Sequence, residues 1–179
     1  RIGDGMLPGV EMGPVANHRR IEAIEALVED ARAKGAKVLT GGVRPNGPGY
    51  FYPVTVLAEV PDDARVMREE PFGPLAIINP TANLDQAIDR ANALPFGLAA
   101  YAFTHRAATV DRLMTEIEAG NLSINTLEAS VAEVPFGGVK ASGQGREGGQ
   151  EGMLHYVETK TISHRMALET APMVSGARP

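Results

Sequence analysis

No cysteine occurs among the 179 residues, and tryptophan is missing as well. The first absence removes disulfides, thiolate metal sites and thiol nucleophiles from this chain together. Serine is a poor substitute as nucleophile, because its hydroxyl lacks a thiol's accessible anion and no base is identified beside one. Positive charge is also scarce: 17 basic against 22 acidic residues leave a net charge of -5, with no Lys/Arg-rich block interleaved with aromatics. Nucleic acid is therefore not expected as a partner. No apolar run approaches the roughly 20 residues that span a bilayer, and the first residues show no secretory signal, so the reading predicts a soluble cytoplasmic protein. The chain opens Arg1-Ile2-Gly3 without methionine and runs into Leu7-Pro8-Gly9, which reads as a loop entered from an earlier part of a longer polypeptide.

Other chemistry is thin. His18, His105, His155 and His164 have no metal-ligand spacing and read as surface or packing residues. Gly143, Gly145 and Gly148 satisfy G-x-G-x-x-G, yet the fingerprint needs a strand immediately before it, a helix opening inside it and a ribose-binding acid in a further strand, whereas here a long loop precedes the glycines and the chain soon ends. The glycines are read instead as a loop that permits close backbone approach. Asn121-Leu122-Ser123 is a formal glycosylation sequon placed inside a predicted buried strand, and it carries no functional reading.

What is present begins with a 44% hydrophobic content, enough for one substantial core. Ile21, Ile24, Leu27, Val28 and Ala31 recur at helical spacing, with Asn17 to cap the start and Gly35 to end it. Short strands are expected at Ala36 to Thr40 and Tyr50 to Leu57, the second at an edge because of Pro53. A short helix is expected from Asp62 or Asp63 to Glu70. Leu75 to Ile78 and Leu98 to Phe103 read as strands covered on both sides, and Leu122 to Asn125 as another short strand. Helices lie between them: one from Leu84 to Ala93 with Asn83 and Gln86 at capping-box spacing, one carrying Val110, Leu113, Met114 and Ile117 and closed by Gly120. The alternation predicts an α/β fold with right-handed βαβ units on a parallel sheet. Val157 to Arg165 alternates as a final strand, and 166–179 is expected to be a frayed tail.

The stretch with the strongest local constraint is Arg68-Glu69-Glu70-Pro71-Phe72-Gly73-Pro74. Pro71 forces Glu70 out of helical geometry, Gly73 admits backbone angles closed to other residues, and Pro74 restrains Gly73 in turn. If the loop is extended, Glu70 and Phe72 point the same way. A carboxylate beside an aromatic face suits a ligand with a diol next to a flat ring; the plainer reading is an exposed acid at a helix end followed by a core phenylalanine.

Four separated motifs, GDGMLPGVEMGP at Gly3 to Pro14, EEPFGP at Glu69 to Pro74, PFGLAAYAF at Pro95 to Phe103 and PFGGVKASGQGREGG at Pro135 to Gly149, together resemble the C-terminal part of the NAD(P)-dependent aldehyde dehydrogenases. The loop Asn125 to Val134 and the run EGMLHYVETK are most similar to the succinate-semialdehyde dehydrogenases. The resemblance covers the chain to about Ser163. It implies that 1–156 is a portion of the parallel-sheet catalytic domain with a connecting helix, and that 157–165 is a strand used in homodimers or homotetramers. It further implies NAD or NADP as cofactor, Glu70 as the acid on the nicotinamide ribose and Phe72 as the aromatic beside the nicotinamide. Phe136 corresponds to an aromatic lining the aldehyde pocket. Ser130 falls where a serine binds the substrate carboxylate, or is simply a turn residue. No catalytic residue is expected in this chain, since the thiolate nucleophile and the base glutamate would precede Arg1. The 179 residues alone are expected to be inactive. The alternative is a stand-alone, non-catalytic module that keeps the fold and self-associates.

Overall fold

The structure, a computed structural model, describes residues 1–166. It divides into two units, Arg1–Pro95 with His105–Glu118, and Phe96–Thr104 with the chain from Ala119 onward.

The first unit is built on helix α1 (His18–Ala33), which starts where the Asn17 side chain accepts the Arg20 backbone N–H at 3.1 Å. Ile21, Ile24, Leu27, Val28 and Ala31, the five residues at helical spacing, are all buried. They cover a sheet of β1 (Lys37–Thr40), β2 (Thr55–Ala58) and β3 (Leu75–Ile78), in which central β2 runs antiparallel to β1 and parallel to β3. The edge position expected from Pro53 is not found. Pro53 stands two residues ahead of β2, so its missing N–H never meets the ladder. Leu27, Ala31, Leu57, Val60, Ala64 and Val66 form one core cluster, and Ile21, Ile24, Val28 and Tyr52 a second. The Tyr52 hydroxyl is buried with no hydrogen-bond partner.

A 3-10 turn, Arg65–Met67, stands where a helix reaching Glu70 was expected. Helix α2 (Leu84–Asn92) has Asn83 accepting from the Gln86 N–H at 2.9 Å. Gln86 Oε1 reaches back to the Ala82 N–H at 2.7 Å, one residue before the position a capping box uses. Helix α3 (Ala107–Glu116) also groups with this unit.

The second unit contains two small sheets. β4 (Phe96–Gly97) pairs antiparallel with β7 (Val139–Lys140), and β5 (Ala99–Ala102) pairs parallel with β6 (Asn121–Ile124). Helix α4 (Gly149–Met153) and a 3-10 turn at Leu154–Tyr156 close it. The α/β class holds, but the expected continuous sheet resolves into two parallel pairs, β2/β3 and β5/β6, among the described residues. β5 was read as covered on both sides; within this chain it alternates between exposed and half-buried. Residues 157–165 are exposed and form no strand here, pairing with no other strand among the described residues. Beyond Met166 the expected tail lies outside the described residues.

Candidate functional site

The turn Arg65–Met67 fixes the approach to Glu70. Asp30 on α1 accepts the Arg65 backbone N–H at 2.7 Å. The Arg65 guanidinium then grips Glu69 with two bonds, at 2.7 and 2.9 Å. These bonds hold both acids below the ordinary carboxylate range: Asp30 chiefly through the Arg65 N–H, Glu69 chiefly through the guanidinium. Glu69 is thus committed to the scaffold. Its neighbour Glu70 is exposed and makes no hydrogen bond or ion pair among the described residues.

The loop does not stay extended through Phe72. Phe72 adopts φ +39, a region that costs a bulky residue about 1–2 kcal/mol, so the alternation rule for extended chain does not apply. Gly73 does not carry the positive φ. It is glycine for another reason: a Cβ there would lie 2.9 Å from Ile24 Cγ1 and nearer still to Cδ1. The loop is therefore seated against the buried Ile24 of α1, and the Pro74 carbonyl, accepting the Thr55 N–H at 2.8 Å, leads it into the sheet. Phe72 is not a core phenylalanine. The residue is 64% exposed, and the Arg20 guanidinium lies over its ring, 5.3 Å from the ring centre.

Phe136 and Ser130 belong to the second unit. The Phe136 N–H donates to the Glu147 carbonyl at 2.7 Å and its carbonyl accepts from the Glu147 N–H at 2.7 Å, closing the glycine-rich run into a loop. Phe136 lines a cleft of about 770 Å³ together with Arg146, His155, Tyr156 and several glycines. Arg146 ties this loop together, donating to the carbonyls of Gly138 at 2.9 Å and Gly145 at 2.7 Å. The Arg146 N–H donates to His155 Nε2 at 3.3 Å, a packing role. The G-x-G-x-x-G glycines lie between β7 and the five-residue α4, with no strand feeding directly into them.

Ser130 is exposed and does not line that cleft. It sits between two ties, Ser123 Oγ donating to the Glu128 carbonyl at 2.8 Å and the Gly149 N–H donating to the Ala132 carbonyl at 3.0 Å. Asn121 of the sequon spends its side-chain amide on the Leu98 and Gly137 carbonyls, at 2.8 and 2.9 Å. Sequence reasoning missed Arg20, Arg65 and Arg146. Only the Arg65/Glu69 pair, at i and i+4, has a local signature. Among the described residues no cluster of three His, Asp or Glu is placed to hold a metal ion, and no helix is long and apolar enough to cross a membrane.

Residues 1–162 match the description "Aldehyde dehydrogenase family". The 4-(hydroxymethyl)benzenesulfonate dehydrogenase TsaD1 of Comamonas testosteroni is 48% identical over 164 residues, covering 92% of this chain and 34% of that protein. An NADP(+) succinate-semialdehyde dehydrogenase of Mycobacterium bovis is 40% identical over 162 residues, covering 90% of this chain and 35% of that protein. The solved structure of 3,6-anhydro-L-galactose dehydrogenase in complex with NAP superposes with a TM-score of 0.85 at 36% identity, covering 90% of this chain and 35% of that one. The chain spans about a third of the length of these relatives.

Proposed function

The chain belongs to the aldehyde dehydrogenase family, and on that premise we propose that it supplies the nicotinamide-ribose side of the cofactor site and one wall of the substrate pocket in an NAD(P)-dependent aldehyde oxidation. The observation that carries this reading is the contrast between two adjacent acids. Glu69 is held by Arg65, whereas Glu70 keeps both carboxylate oxygens unused at the surface. A ribose diol offers two donors, and one ionised carboxylate accepts both with charge-assisted bonds. The exposed Phe72 ring beside it offers a flat apolar face. The residues present therefore fit a nicotinamide riboside end. When bound, the dinucleotide supplies the hydride acceptor. Glu70 fixes the sugar, Phe72 limits where the flat ring can lie, and Phe136 closes part of the aldehyde pocket.

The family's oxidation begins on a cysteine thiolate, and this chain has none. The purified 179 residues, given an aldehyde and NAD(P)+, are expected to produce no reduced nicotinamide. Measurable turnover would overturn that expectation. In the native protein Glu70→Gln is expected to slow hydride transfer and weaken cofactor binding, because an amide leaves one acceptor oxygen for two hydroxyls. Unchanged turnover and affinity would remove Glu70 from this role.

For the substrate, the Ser130 hydroxyl is a donor suited to a carboxylate-bearing aldehyde such as succinate semialdehyde. Ser130→Ala should raise the KM for such an aldehyde severalfold and leave that for an uncharged aldehyde unchanged; equal values for both would assign Ser130 to the turn alone.

A second feature bears on assembly. Tyr156, Val157, Ile162 and Met166 are strongly exposed along a segment that pairs with nothing among the described residues. Such a segment suits strand addition to a second copy, giving a homodimer or homotetramer. The native polypeptide's mass separates the two organisations: a value more than twice 18.9 kDa fits a larger dehydrogenase, and 18.9 kDa a self-associating module.

A further inference from the structure

We propose that Arg20, on the first turn of α1, is a positioning residue for the cofactor loop, holding the Phe72 ring by one face so that the other is presented to the nicotinamide. The inference rests on the cofactor reading above. Three observations carry it. The Arg20 guanidinium lies 5.3 Å from the ring centre of a residue that is 64% exposed, a cation–π geometry. No carboxylate pairs with that guanidinium among the described residues, so the ring is its partner and not an incidental neighbour. Arg20 and Ile24 stand one turn apart on the same face of α1, and Ile24 is the residue against which Gly73 is seated.

The placement runs against local preference. A cation in the first turn opposes the helix dipole. The left-handed Phe72 and the close seat of Gly73 are both features of the loop, and Arg20 and Ile24 meet them from a single helix face. A phenylalanine side chain with two free torsions and two-thirds of its surface in water samples several rotamers. The guanidinium removes that freedom before the ligand arrives, which lowers the ordering cost of binding.

The test uses the native protein and titrates reduced nicotinamide dinucleotide by its fluorescence, with thermal unfolding followed in parallel. Arg20→Gln is expected to raise Kd about two- to five-fold, the size of an exposed cation–π contact. Arg20→Lys should recover most of the affinity, and Tm should not move in either variant. In a Phe72→Leu background Arg20→Gln should add nothing, because the ring through which it acts is gone. An unchanged Kd for Arg20→Gln, with Glu70→Gln still weakening binding, would overturn the inference and leave the ribose reading intact. So would an equal effect of Arg20→Gln with and without the Phe72 ring. If Glu70→Gln also leaves Kd unchanged, the cofactor reading itself fails and this inference fails with it.

Discussion

In the first unit Asn79, directly after β3, bonds both the N–H and the carbonyl of Val60 at 2.8 Å; in the second, Asn125, directly after β6, does the same for Thr104 at 2.9 Å. Each asparagine amide copies one more backbone rung at the end of a parallel strand pair. Below that shared device the two units differ. Every large apolar side chain that is buried among the described residues, from Ile21 to Leu113, lies in the first. The second holds together through backbone ladders, the Arg146 ties and glycine contacts. Hydrogen bonds alone contribute little net stability, whereas each buried aliphatic contributes about 1.5–3 kcal/mol. Local stability is therefore expected in the first unit, which also carries Glu70 and Phe72. The second presents apolar surface that calls for cover.

That contrast can be broken by substitution. Leu57→Ala, at a position with no exposure, is expected to cost about 2–5 kcal/mol in denaturant unfolding, while Tyr101→Ala on exposed β5 should cost less than about 1 kcal/mol. Equal costs would erase the distinction between the units. Gly120→Ala should cost about 1–3 kcal/mol, because a Cβ there meets the Gly137 peptide head-on, its carbon lying 2.9 Å away. Hydrogen exchange should show that loss in β4 to β7 and leave α1 protected. The smallest effect is a gain. Tyr52→Phe removes a buried hydroxyl without a partner and should stabilise by up to about 1 kcal/mol.

The same residue gives a pH signature. Burial pushes the Tyr52 phenol above its ordinary value, with the Glu25 carboxylate adding to the rise and Arg32 opposing it. The folded state then holds its proton more tightly than the unfolded state. The stability this contributes is fully present below the ordinary phenol value of about 10 and is lost as pH rises through the raised one. Alkaline unfolding curves of Tyr52→Phe should lack that decline; an unaltered curve would assign it elsewhere.

Much of the first unit was legible in the sequence. Asn17, five apolar residues at helical spacing and a strand ended by Pro80 are local signals, and each acts locally in the structure. The loop at Glu70 was legible as stiff, since proline restrains its neighbours whatever surrounds it. Its detail was not. Gly73 is required by Ile24 on a distant helix, and the Arg20 contact joins residues with no common local pattern. The second unit was harder because two of its strands have only two residues, too short for any periodicity. The strand expected at 157–165 pairs with none of the strands among the described residues, and its alternation alone did not specify a partner.

Two neighbouring acids have different work, and dinucleotide titration of Glu69→Gln and Glu70→Gln in the native protein tests that most directly. Glu70→Gln is expected to raise Kd about tenfold, the order expected for losing a charged acceptor, while Glu69→Gln should leave Kd within twofold of the parent. Equal weakening by both substitutions, or by Glu69→Gln alone, would contradict the assignment of Glu70 as the acid left free for the ribose.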